Sequence, residues 1–168
     1  HAQHHLPAMA ALARFPHTPT VFFCHGWLPW EEAPLRHPAI RRYVAVSGAT
    51  RERLVAEHAV PPGRVHTIPN FVDTRRFAPR DPLPAHPRRA LVFSNQAVEG
   101  GWVETLRHVC ASRGIQVDVA GWGSGRPLDR PEEALGAYDL VFARGRSALE
   151  AMAVGCAVVL CDAEGLGP

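Results

Sequence analysis

One segment of this chain places groups that can hold an anion next to a single acid. It runs Gly145-Arg146-Ser147-Ala148-Leu149-Glu150-Ala151-Met152-Ala153-Val154-Gly155. It reads as a strand at Leu140-Val141-Phe142, a glycine turn, a short helix over Ser147–Val154, a glycine stop and a buried strand at 157–160. The first N–H groups of a helix have no partner within it, so this turn would aim free donors at one spot and suit a phosphate. The Ser147 hydroxyl would add a donor, and Arg146 or Arg144 would neutralise charge. Glu150 sits one turn inside, on the Ser147 face, where its carboxylate could accept the hydroxyls of a ribose. Leu149, Met152 and Ala153 are expected to face the core. The plain alternative is an N-capped helix with solvated arginines and an Arg146–Glu150 pair. In this orientation such a pair contributes only about 0.2–0.5 kcal/mol.

A second candidate is His25-Gly26, at the end of the apolar run Thr20-Val21-Phe22-Phe23-Cys24. A neutral imidazole at a strand end can hydrogen-bond a sugar hydroxyl or a departing phosphate, or it can simply cap the strand. Trp27 and Trp30 lie beside Glu31 and Glu32. Aromatic rings next to carboxylates suit sugars, although a solvated loop is the default for such a stretch. Gly121-Trp122-Gly123-Ser124-Gly125 has the look of a dinucleotide loop, but Pro127 follows and no helix opens on it. It reads as a flexible strand-end loop, with Gly121 and Gly123 able to line a ligand. Trp122 could stack on a base, but a packed ring is the commoner fate. His1, His4 and His5 have no neighbouring acid in the sequence, so no metal site is expected. Asp139 and Asp162 read as turn or cap residues. No Ser-His-Asp elbow and no P-loop is present.

The elements that would position these groups alternate. A helix over Leu6–Arg14 ends before Pro16. Strands follow at 20–24, 43–46 and 65–68, with a helix from the cap Ser47 to about His58. Residues 78–89 hold Pro79, Pro82, Pro84 and Pro87 and read as a linker. Beyond it come strands at 90–93 and 116–120 and a helix over 102–113 with Val103, Leu106 and Cys110 on one face. Strand–helix alternation predicts α/β architecture with parallel sheets, whose ligands bind at the carboxyl ends of strands.

Composition narrows the field. The chain has 168 residues, 46% hydrophobic and 20% charged, which is ordinary for one globular domain or two small ones. Its net charge of +2 and the lack of a basic run give no argument for nucleic acid. All 18 basic residues are arginine, so any role that usually falls to lysine falls to arginine here. Cys24, Cys110, Cys156 and Cys161 form no CxxC pair and read as small buried hydrophobes in a reducing compartment. No apolar run approaches the ~18 residues of a membrane span, and His1–His5 does not have the pattern of a secretory signal. Both ends look cut from a longer chain.

The segment Glu150-Ala151-Met152-Ala153-Val154-Gly155 resembles the second half of the Glu-x7-Glu motif of retaining glycosyltransferases of family four, which have the GT-B fold. Tyr43-Val44-Ala45-Val46-Ser47 is similar to the strand that closes their N-terminal domain. Val65-His66-Thr67-Ile68-Pro69-Asn70-Phe71-Val72-Asp73, with Arg76-Phe77 and Pro79, is similar to their interdomain signature, with Phe71 in place of a glycine. Two departures stand out. The first motif acid falls on Phe142, and Ser94–Gly101 lacks the family's basic pair, a role Arg126, Arg144 and Arg146 could fill.

The resemblance implies two Rossmann-like halves, both incomplete: residues 1–77 as the back of an acceptor-side domain, 78–89 as a linker, and 90–168 as the front of a donor domain. It implies transfer of a sugar, of hexose type, from a nucleotide-activated donor to a sugar, lipid or other hydroxyl acceptor with retention, by a cytoplasmic enzyme without cofactor. His25 and Glu150 would be catalytic. Gly121, Gly123, Arg144, Gly145, Arg146 and Ser147 would bind the donor, and Trp27 and Glu31 would meet the acceptor. Such a piece alone would be inactive. Surface arginines could hold the protein against an anionic bilayer. A non-catalytic nucleotide- or sugar-binding relative, or a sugar-nucleotide epimerase of the same fold, is the alternative.

Overall fold

The apolar runs of the sequence become parallel strands in the computed structural model, which describes residues 1–26, 30–98, 100–162 and 165–166. The chain divides into two units, His1–Asn70 and Phe71–Pro168. Each is a parallel sheet carrying helices.

The first unit contains β1 (Ala2–Gln3), α1 (His5–Arg14), β2 (Thr20–Cys24), β3 (Ile40–Ala45), α2 (Gly48–Ala56) and β4 (Val65–Thr67). Its sheet order is β1-β2-β3-β4, and every pairing is parallel. All four carboxyl ends therefore lie on one edge. Ser47 caps α2 as its type suggested, its hydroxyl accepting from the Thr50 N–H at 3.1 Å. Phe22, Cys24, Ile40, Tyr43, Ala45 and Leu54 fill the core. β1 is not visible in the sequence, because two residues carry no periodicity; only its pairing with Phe22 and Phe23 makes it a strand.

The second unit contains β5 (Arg89–Phe93), α3 (Gly101–Ala111), β6 (Gln116–Ala120), α4 (Pro131–Ala134), β7 (Leu140–Ala143), α5 (Gly145–Val154), β8 (Ala157–Asp162) and β9 (Gly165–Leu166). The order is β6-β5-β7-β8-β9, parallel except for the short antiparallel β9. Strand alternation sorts its side chains onto two faces. Leu91, Val141 and Ala143 pack with Ala148, Ala151 and Val154 of α5. Ala90, Val92 and Phe142 pack with Val103 and Cys110 of α3.

The buried stripe of α5 is thus Ala148–Ala151–Val154. The expected Leu149–Met152–Ala153 stripe is not the buried one; Met152 is 58% exposed. Two alanines let the helix lie close to the sheet, so small residues face inward where bulk alone would point to Leu149 and Met152. The helix also begins two residues earlier than its sequence suggests, which makes Ser147 its third residue.

The boundary between the units lies at Asn70–Phe71, and the proline-rich stretch 78–89 belongs to the second unit. Prolines cannot donate to a sheet ladder, and a single arginine does the anchoring instead. Arg80 donates its N–H to the Val154 carbonyl at 2.8 Å, and its guanidinium to the Tyr138 carbonyl and to Asp139 Oδ1 at 3.0 Å. Asp139 Oδ2 in turn accepts the N–H groups of Arg88 at 2.8 Å and Arg89 at 3.1 Å. These backbone N–H donors, that of Arg88 foremost, and the Arg80 guanidinium hold the Asp139 carboxyl below the usual carboxylate range.

All four cysteines are free and buried, as a small-hydrophobe reading expects. Burial pushes each thiol up, Cys24 to about 12 with Glu32 adding to the effect. Among the described residues no helix is long and apolar enough to cross a membrane.

Two outcomes follow from this packing. A carboxylate with a depressed pKa stabilises the fold above its ordinary pKa, and that stability is lost as pH falls through the folded value. Wild-type protein should therefore lose stability below about pH 4. Asp139→Asn should be about 2–4 kcal/mol less stable at pH 7, with a shallower acid limb in chemical denaturation. Second, a thiol reagent at pH 8 should label none of the four cysteines in the folded protein and all four after unfolding.

Candidate functional site

The strand order of the second unit marks where a ligand can sit. From β5 the chain crosses to β6 on one side, whereas β7 and β8 lie on the other. The loops leaving the carboxyl ends of β5 and β7 therefore part and leave a crevice, the usual ligand position in open parallel sheets. Both loops lead into helices, α3 and α5, whose N-cap residues, Gly100 and Arg144, make no side-chain cap bond. Two helix starts that lack a side-chain bond from their own N-cap residue thus flank one sheet edge.

The β7–α5 connection is one residue, Arg144, followed by Gly145 at φ 57°. A side chain there would be strained, so the tight turn requires glycine. Its shortness also explains Phe142. Eight residues before Glu150 the chain is still inside β7, and Phe142 is buried against Val92 and Val103. An acid at this position would enter the core rather than the crevice.

Glu150 is 7% exposed, and Arg146 Nε donates to its Oε1 at 2.9 Å. The i,i+4 pair is therefore real, and one of its members is buried. Oε2 of Glu150 makes no hydrogen bond among the described residues. Arg144 is also paired, with Asp162 at the end of β8. Neither arginine beside the turn is an uncommitted cation. Arg126, exposed at the end of the 121–126 loop, makes no ion pair among the described residues.

The glycine-rich loop after β6 is pinned, in place of the flexible loop its composition suggested. Gly121 exchanges backbone bonds with Arg126, and Gly123 donates to the Asn95 carbonyl at 3.0 Å. The Trp122 N–H donates to Asn95 Oδ1 at 3.2 Å, and the Ser124 hydroxyl to the Gly121 carbonyl at 2.9 Å. Both glycines serve close approach. A Cβ on Gly121, at φ +142°, would lie 2.1 Å from the Ser94 carbonyl oxygen, and one on Gly123 would lie 2.7 Å from that of Ala97. Trp122 is 73% exposed, so its ring is presented to solvent and not packed.

In the first unit His25 stands at the carboxyl end of β2. Its Nε2 lies 2.9 Å from Gln3 Oε1, an oxygen that only accepts, so the imidazole carries its proton on Nε2 and Nδ1 remains an acceptor. The His25 backbone N–H donates to Glu32 Oε2 at 3.0 Å, and His4 Nδ1 meets Glu32 Oε1 at 3.0 Å. Glu32 is buried, contrary to the solvated loop expected, and it gives His4 an acid partner that the local sequence does not show. The residues lie 28 apart in the chain, and the pairing of β1 with β2 and the contacts of His5 with Trp30 and Ala33 bring them together. Among the described residues no group of three metal-ligating side chains forms. Trp27, and the side chain of Glu31, lie outside the described residues.

The pinned loop yields a direct check. Gly121→Ala should cost about 2–4 kcal/mol, because strain at the positive φ adds to the clash with Ser94. Gly125→Ala, also at positive φ but with open space around it, should cost less in the same denaturation series.

With this geometry in hand, similarity to known proteins falls into two parts. Residues 1–76 match the model of Glycosyltransferase Family 4. The chain also resembles a crystal structure of a glycosyltransferase from Rickettsia africae ESF-5, with a TM-score of 0.61 and 12% identity over 93% of its own length. It spans about half of that neighbour, 55% of its chain. No curated protein matches in sequence. At 12% identity the structural likeness is one of fold, and the family match falls on 1–76, the first unit with a few residues beyond it.

Proposed function

We propose that this chain carries the donor site and part of the acceptor side of a retaining GT-B glycosyltransferase, acting in the cytoplasm on a nucleotide-activated hexose. The observation that carries this reading is the reversal of strand order between β5 and β7, with the starts of α3 and α5 on the loops that leave those strands. The family match of residues 1–76 supports the class of reaction.

In this reading the donor diphosphate lies against the N–H groups of Gly145, Arg146 and Ser147 and the Ser147 hydroxyl. Glu150 accepts ribose hydroxyls through its unpaired Oε2. Arg146 and Arg144 face the diphosphate from its flanks, and Arg126 supplies a cation that makes no ion pair among the described residues. Gly121 and Gly123 keep the backbone of the β6 loop close, and Trp122 offers a face for the base. His25, in the first unit, accepts a sugar hydroxyl at Nδ1; Trp27 and Glu31 lie on the acceptor side. The bond between the anomeric carbon and the phosphate oxygen breaks, and a bond to the acceptor oxygen forms on the same face. The acceptor proton leaves to the departing phosphate. Catalysis is then electrostatic: fixed donors stabilise charge on the leaving diphosphate, and positioning does the rest.

One observation favours a second reading, a non-catalytic binding relative. Arg144 and Arg146 already pair with Asp162 and Glu150, and Ser94–Val98 carries no cation to replace the family's basic pair.

Calorimetry with uridine, guanosine and adenosine diphosphate sugars tests the site. The wild-type chain should bind one of the three series. Glu150→Ala and Arg146→Ala should each weaken it by about 10-fold or more, the loss of a charge-assisted hydrogen bond. A folded chain that binds none of them would overturn the donor-site reading. With the full-length protein, transfer to an acceptor supports the enzyme, and binding without turnover supports the second reading.

A further inference from the structure

At the amino edge of the first sheet, opposite the edge that carries His25, the loops entering β3 and β4 line an open concavity of about 430 Å³. Arg36, His37, Tyr43, Ala59, Pro61 and Arg64 are among its lining residues, and no carboxylate is. Neither Arg36 nor Arg64 forms an ion pair among the described residues. This contrasts with the arginines flanking Gly145 in the second unit, both of which are paired.

The lining is held in place by bonds that leave its donors largely unused. Arg36 Nη2 donates to the His58 carbonyl, and Arg64 donates to the carbonyls of Ile40 and Arg41. Each guanidinium has five N–H groups, so most remain available. The Arg64 guanidinium also lies over the Tyr43 ring, 5.7 Å from its centroid, while the Tyr43 hydroxyl donates to the Leu35 carbonyl at 2.6 Å and keeps its lone pairs as acceptors. The Ala39 N–H donates to His37 Nδ1 at 3.2 Å, so the neutral ring carries its proton on Nε2 and presents a donor.

Two unpaired guanidinium groups, an imidazole N–H and no acid in one concavity select an oxyanion. Guanidinium forks match phosphate oxygens in pairs. The cavity falls within the range of small-molecule sites and exceeds what bare phosphate needs. We infer that this pocket binds the phosphate group of a small phosphorylated metabolite, at a site separate from the proposed donor crevice.

The test is calorimetry with inorganic phosphate and with glycerol 3-phosphate, against chloride at matched ionic strength, on the folded 168-residue chain. Variants Arg36→Gln and Arg64→Gln keep an amide donor for the backbone carbonyl but lose the charge; Arg113→Gln is a distant control, and Arg146→Ala removes the proposed donor site. Both ligands should bind, glycerol 3-phosphate more tightly, and the His37 ring protons should shift in NMR on titration. Each pocket variant should weaken binding at least 10-fold, while Arg113→Gln and Arg146→Ala change it less than 2-fold. If phosphate binds more tightly than its ester, the site takes the free ion and the metabolite assignment fails. Absence of binding, unchanged affinity in both folded pocket variants, or a static His37 resonance overturns the pocket itself. Because Arg146→Ala is measured in parallel, failure here is distinguishable from failure of the donor site.

Discussion

Asp139 is the joint on which the second unit depends. Its two carboxylate oxygens are shared between the backbone entering β5, through Arg88 and Arg89, and the guanidinium of Arg80. Its main chain receives the Ala157 N–H and donates to the Arg89 carbonyl, so one residue holds the starts of β5, β7 and β8 together. Arg80 extends the joint to the end of α5 through Val154. The free energy of such a buried pair lies less in attraction than in the cost of leaving either partner alone. The register of β5 against β7, and hence the facing of their carboxyl-end loops, rests on that pairing.

That register decides where chemistry can occur. A parallel sheet sends every helix-leading loop to one edge, and only a reversal in strand order opens a gap there. The first unit has no reversal among its described strands, and its carboxyl edge carries hydrogen bonds that tie His25 to Gln3 and Glu32, and His4 to Glu32. The second unit has one, between β5 and β7. Around it the backbone supplies the donors, and side chains mostly neutralise one another: Arg146 with Glu150, Arg144 with Asp162. An anion entering this crevice would compete with existing ion pairs, so its binding is an exchange of partners and not a filling of vacant charge.

Much of the fold was legible because its strands are short runs rich in apolar and β-branched residues, several of them bounded by glycine, proline or a cap. Thr20–Cys24, Gln116–Ala120 and the Ser47 cap are each where composition puts them. What escaped had no local signature. β1 exists only through its partner, and Glu32 meets His4 and the His25 N–H through residues far from it in the chain. The face of α5 was misread because helical periodicity weighs bulk, whereas packing against the sheet favoured Ala148 and Ala151. Gly121 and Gly123 looked like freedom in the sequence; in the structure they are the cost of bringing two backbones within hydrogen-bond range.

The lysine-free composition gives the chain one kind of cation, and the structure uses it in two ways. In the second unit arginine forks bind carboxylates and carbonyls: Arg76 on Glu132, Arg80 on Asp139, Arg89 on Asp118. A planar group with several fixed donors can grip two partners at once, which an ammonium does less well. In the pocket before β3 and β4 the same geometry is tethered to backbone carbonyls and, for Arg64, laid over the Tyr43 ring, and no carboxylate pairs with it among the described residues. A guanidinium anchored on one side by neutral oxygen is oriented without being neutralised.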